Sequence, residues 1–260
     1  DGLTDPAEIQ AAAVAVLQDA QKNGRAEIAR AFAASPFNAR PMTSAYCYLT
    51  DQLVRTTLQI AGQRLHPVET LGPNDRLAVI GVGGYGRGEM APYSDVDLLF
   101  LIPQTPSQRT ENLIESMLYM LWDLKLKVGH STRTIRDCVT LGREDFTIQT
   151  ALLEHRFIAA DVALAQDLDE TLKTDLFAGT GRSFIEAKLE ERDARHRKQG
   201  LRYVVEPNVK EAKGGLRDLQ SLFWIAKHIY SVEHAADLVD RGVFLEEEFK
   251  TFVAAENFLW

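Results

Sequence analysis

The chain has 260 residues, 45% of them hydrophobic and 25% charged, and a formal net charge of −8. That length holds one large or two medium domains around a substantial core. The acidic balance argues against a nucleic-acid binder or a protein that coats anionic membranes, so neither is expected as a partner.

Residues 1–35 read as helix, with Pro6 in the first turn and Ile9, Ala13, Val16 and Leu17 at helical spacing. Asn23-Gly24 predicts a break, and Ser35-Pro36 an end. A longer helix is expected over about 43–65, then a loop to residue 75. Strand one is 76–82. Strand two, 96–102, is an apolar run of the kind found at the centre of a sheet. Helix 106–126 follows, with Leu113, Met117, Leu121 and Leu124 on one face. A third strand is expected over 127–134, helical pieces over 135–153, and a fourth strand over 154–159. From Asp161 onward helices dominate, at 161–176, 180–199, 215–230 and from 245. The expected fold class is α+β. A helical lead-in covers 1–75, a small mixed-sheet core 76–160, and a helical domain 161–260.

Cys47 and Cys138 are far apart and outside any CxxC pattern, so no disulfide framework or thiolate zinc site is expected, and a reducing cytoplasm fits. No apolar run reaches the roughly 18 residues of a membrane span, and no signal-peptide pattern is present. The sequence opens without methionine and stops inside an apolar helical pattern, so it reads as a piece of a longer protein.

The chemistry concentrates in 77–103, LAVIGVGGYGRGEMAPYSDVDLLFLIP. A strand enters the turn Gly81-Val82-Gly83-Gly84-Tyr85-Gly86, which matches G-x-G-x-x-G. A dinucleotide fold would open a full helix there, yet Pro92 arrives too soon. Its acid would end the second strand, whereas Asp95 and Asp97 begin it. Gly83 and Gly84 let phosphates approach backbone N–H groups. Residues two apart on a strand share a face, so Asp95 and Asp97 offer paired oxygen ligands for Mg²⁺. Ser94 either bonds a phosphate oxygen or holds the aspartate loop. Arg87 either binds phosphate or braces the loop against a carboxylate, with Glu89 as its partner.

A second group lies at 203–224, YVVEPNVKEAKGGLRDLQSLFW. Glu206-Pro207-Asn208 breaks the preceding helix. Gly214-Gly215 at a helix start favours an anion, and Lys210, Lys213 and Arg217 add positive charge. Asp218 is placed to fix Arg217.

The segments GGYGR and SDVD resemble the signature of the DNA-polymerase-β-like nucleotidyltransferase superfamily. That resemblance implies metal on Asp95 and Asp97 and triphosphate on the glycine–serine segment. A third carboxylate often serves as base there. The 127–134 strand, KVGHSTRT, has none, so Glu154 on the next strand is the candidate, with His130 a packed or base-like histidine. NVK…KGGLRD, together with LWDLKLKVGHSTRT and LLEHRFIAAD, resembles the family of bacterial PII uridylyltransferases, which also remove the uridylyl group. The adenylyltransferase of glutamine synthetase is a more distant likeness, since its D-x-R-L-R-P segment is replaced by Gly129-His130-Ser131-Thr132-Arg133-Thr134. The resemblance implies Mg²⁺-dependent transfer of UMP from UTP to a tyrosine of the PII protein, with pyrophosphate released. Lys210 and Arg217 are expected to contact the triphosphate or the helical-domain face of the cleft. The resemblance further implies an HD hydrolase domain and glutamine-sensing ACT domains, of which this sequence has neither. A nucleotide-binding regulatory module without turnover is the alternative of another class.

Overall fold

The computed structural model describes residues 2–198 and 208–260. Tyr203, Glu206 and Pro207 of the second group lie outside the described residues. The sheet has four strands: β1 (Ala78–Gly81), β2 (Val96–Leu101), β3 (Val128–Arg133) and β4 (Arg156–Ala160), in the order β3-β2-β1-β4. β1 runs antiparallel to β2 and β4, and β2 runs parallel to β3. The fold is α+β, a small mixed sheet flanked by helices.

Strand alternation divides the sheet's side chains between two cores. Val79, Leu98 and Phe100 pack with Val14 and Leu17 of α1 (Pro6–Ala34), Leu53 and Val54 of α2 (Ala39–Ile60), and Met117 and Leu121 of α4 (Gln108–Asp123). A single helical turn, α3 (Gly83–Gly86), lies between β1 and β2. On the other face Ala78, Ile80, Leu99 and Leu101 pack with Cys138 of α5 (Ile135–Glu144), Leu152 of α6 (Phe146–Leu153), and Leu164 and Leu168 of α7 (Val162–Thr171). The helices after β4 therefore begin on the sheet itself. Beyond them α8 (Gly181–Lys198) and α9 (Leu216–Tyr230) meet through Phe184 and Trp224, over Leu153. A short turn, α10 (Asp237–Asp240), leads to α11 (Glu246–Leu259).

Local chemistry sets the helix starts. Asp5, Ser107, Thr134, Asp145 and Asp161 each accept an N–H of the first turn of the helix they precede. Two expectations are corrected. Asn23-Gly24 does not break the first helix, which runs unbroken for 29 residues. A Cβ at Gly24 would lie 2.9 Å from Leu49 Cδ1, so this glycine marks the close approach of α1 and α2 rather than a turn. Glu154 is not on the fourth strand. It caps the C-terminus of α6, and β4 begins two residues later.

Candidate active site

Asp97 opens β2 on the face of Leu99 and Leu101, and Asp95 stands exposed just before the strand. β3 runs beside β2 with Gly129 paired to Asp97. A Cβ at Gly129 would sit 2.5 Å from Asp97 Oδ1, and one at Gly83 would sit 3.3 Å from Oδ2. Glycines on both sides thus make the slot in which the carboxylate lies. Gly83 also needs its own freedom, with φ at +60°. The turn α3 begins here, so the N–H groups of Gly83 and Gly84 have no partner within the helix.

Burial pushes the Asp97 carboxyl up, the neighbouring Asp95 pushes it further, and the Lys210 ammonium pulls it back. Lys210, in the loop before α9, thus lies within range for its charge to act on Asp97. Among the described residues no cluster of three or more His, Cys, Asp or Glu side chains has metal-binding spacing. A divalent cation would take only two protein carboxylates here and complete its shell with phosphate and water oxygens, as Mg²⁺ commonly does. Two repelling oxygen donors of this kind fit such an ion.

The turn is anchored from below by residues that sequence reasoning missed. The hydroxyl of Tyr85, which is 1% exposed, donates to Asp51 Oδ1 at 2.7 Å. Arg156 of β4 grips the same carboxylate at 2.8 and 3.0 Å. The available signal was an acid, Asp51, on the apolar face of a predicted helix beside Cys47 and Val54. Gly129 had a signal too, since a glycine inside a strand often marks a close approach.

Several expected site residues are placed elsewhere. Ser94 Oγ accepts the Ala91 N–H at 2.9 Å, so it holds the aspartate loop. It borders a small pocket with Gln21, Tyr46 and Val96, on the face opposite Asp97. Arg87 braces: Nε donates to Glu89 at 2.9 Å and Nη1 to Glu154 at 2.5 Å. Glu154 is 3% exposed, and its other oxygen accepts the Trp224 indole N–H. Burial pushes its carboxyl up, while Arg87 and Trp224 pull it back. A carboxylate with both oxygens engaged and almost no exposure is poorly placed to take a proton from a substrate, which corrects the expectation of a base. His130 pairs with Leu98, on the other face from Asp97, and its ring meets Trp122 edge-on at 6.0 Å.

The second group also differs from expectation. The first amides of α9 are not open to an anion: Leu216 N–H donates to the Val209 carbonyl at 3.0 Å and Arg217 N–H to the Lys210 carbonyl at 2.9 Å. Arg217 reaches Gln220 and Glu211, and its guanidinium lies 5.4 Å from the Trp224 ring centre. Asp218 does not fix Arg217. Adjacent helical residues diverge, and Asp218 pairs instead with Arg195 at 2.5 Å, His196 at 2.9 Å and the Gly214 N–H at 2.8 Å. A cavity of about 1250 Å³ lies between α6, α7, α9 and α11, lined by Arg87, Glu154, Lys227 and Phe252, and the two aspartates lie outside it.

Residues 68–158, which hold the aspartates and the glycine turn, match the nucleotidyltransferase domain, and residues 183–260 match the GlnD PII-uridylyltransferase model. A bifunctional uridylyltransferase/uridylyl-removing enzyme of Ruegeria pomeroyi is 62% identical over 98% of the chain. Those of Cereibacter sphaeroides and Azospirillum brasilense are 55% and 45% identical over 100% and 97% of it. This chain belongs to that family. It spans 28% of the Ruegeria and Cereibacter relatives and 27% of the Azospirillum one. Within the family's shared region, the paired aspartates fall in the nucleotidyltransferase match and Lys210 in the uridylyltransferase match.

Proposed function

We propose that this chain carries a nucleotidyl transfer site that moves UMP from UTP to a tyrosine hydroxyl of the PII signal protein, in the cytoplasm, releasing pyrophosphate. The observation that carries the reading is Asp97, slotted between Gly83 and Gly129 beside Asp95, with the Lys210 charge acting on it. Asp95 and Asp97 would hold Mg²⁺, which when bound neutralises the leaving pyrophosphate and orients the α-phosphorus. The Gly83 and Gly84 N–H groups bind phosphate oxygens, and Lys210 adds a positive charge on the opposite wall. The tyrosine oxygen forms the new bond to the α-phosphorus as that phosphorus's bond to the bridging oxygen of the pyrophosphate breaks, and the hydroxyl proton passes to water. Ser94, Arg87, Glu154 and Arg217 act at one remove, by holding the loops that present these groups.

The residue paired with Asp97 on the neighbouring strand is Gly129 and not an acid, and this favours one competing reading, a nucleotide-binding module without turnover. Replacing both aspartates, Asp95→Asn and Asp97→Asn, separates the two. The transfer reading expects wild-type protein to label PII from UTP with Mg²⁺, and the double variant to lose at least a thousandfold in rate, about 4 kcal/mol of barrier, with its melting temperature kept. Transfer retained in the double variant would sink it. Wild-type binding of UTP with no transfer would favour the module.

A further inference from the structure

One buried carboxylate joins the two walls of the candidate site. Glu154 accepts from Arg87 on one side and from the Trp224 indole on the other. Arg87 directly follows the glycine turn, and its backbone N–H donates to the Gly83 carbonyl at 3.0 Å. Trp224 sits in α9, whose first turn is bonded to the carbonyls of Val209 and Lys210, so the loop carrying Lys210 and the helix form one piece. The Trp224 ring is held in turn by Lys188 and Arg217, each with its charged group 5.4 Å from the ring centre. Toward α6 the contact of α9 through Leu153 is apolar, while Asp218 and His228 tie α9 to Arg195, His196 and Thr180 of α8 and its start. Apolar burial is non-directional and leaves helix position loosely defined. Charge-assisted hydrogen bonds to a buried carboxylate fix both distance and angle.

We propose that Trp224, Glu154 and Arg87 form a clamp that sets the spacing between Lys210 and the Asp95–Asp97 pair. Trp224 and Glu154 are then positioning residues for the triphosphate. This deepens the reading of function above and rests on it. Neither residue touches substrate. Each acts through the position of Lys210 relative to the glycine turn.

The test is a double-variant cycle on Mg–UTP binding, with the melting temperature of each protein measured alongside. Trp224→Phe keeps an aromatic ring but removes the indole N–H together with the volume of the pyrrole ring, which is why the melting temperature is read alongside. The variant is expected to weaken binding about five- to tenfold, the scale of one ordinary hydrogen bond, because the lost bond acts on the nucleotide only through Lys210. Lys210→Ala is expected to weaken binding similarly. The double variant should then fall no more than about twofold below the weaker single one, because Lys210 is already displaced. A purely structural role would lower the melting temperature and leave the effect of Lys210→Ala intact. Unchanged binding in Trp224→Phe, or full multiplication of the two losses, overturns the clamp. If Trp224→Phe does not fold, Glu154→Gln carries the same cycle, since it keeps an acceptor for the indole and removes the charge from Arg87. Transfer is assayed separately. A wild type that binds Mg–UTP without transferring UMP contradicts the reading of function, while the clamp is still judged from the cycle.

Discussion

Asp97 shows how backbone and chemistry constrain one residue together. Its carboxylate is half-buried, repelled by Asp95, and flanked so closely by Gly129 that a single methyl group would strike it. Gly129→Ala is therefore expected to displace Asp97 and cut Mg²⁺-dependent transfer by about tenfold or more, with little change in melting temperature. Normal transfer in that variant would show that the slot does not matter. The face on which Asp97 lies was legible in the sequence because strand alternation fixes it, whereas Asp95 stands just before the strand rather than on it. The role of Glu154 was not legible. Its burial depends on Arg87 and Trp224, each about 70 positions away in the chain, and no local pattern reports such a meeting.

Among the elements, the helices and strands followed their apolar periods closely, and the failures are physical. Gly24 stays helical because tertiary contact with Leu49 outweighs its weak helix propensity. Gly214-Gly215 reads as an anion site from sequence, yet the loop folds back and satisfies the α9 amides with its own carbonyls. The α8–α9 contact carries a pH dependence. His228 stacks on Phe184 at 4.4 Å, bonds Thr180 through Nε2, and has a buried Nδ1 with no partner among the described residues. Burial holds its imidazole below the usual histidine range. The unfolded chain therefore binds the proton more readily than the fold does. The stability from neutral His228 is complete above the unfolded value and is lost as pH falls through the folded one. Acidification from about pH 7.5 to about pH 5 should lower the melting temperature in part through this site, and His228→Gln should remove that part of the slope. An unchanged slope in the variant would place the acid sensitivity elsewhere.

Across the whole molecule, a mixed sheet with a core on each face presents the glycine turn and the aspartates at one end, and α9 brings Lys210 to them. No helix among the described residues is long and apolar enough to cross a membrane. The sheet was legible because its central strands are continuous apolar runs. The arrangement of the later helices was not, since their contacts, apolar and polar alike, join residues far apart in the chain. Transfer of UMP at this site is tested most directly by supplying the protein with labelled UTP or labelled ATP, Mg²⁺ and purified PII protein. The predicted result is Mg²⁺-dependent label on a PII tyrosine from UTP, with pyrophosphate released in equal amount and far less label from ATP. Equal or greater label from ATP, or label that persists when Asp95 and Asp97 are both asparagine, would contradict it.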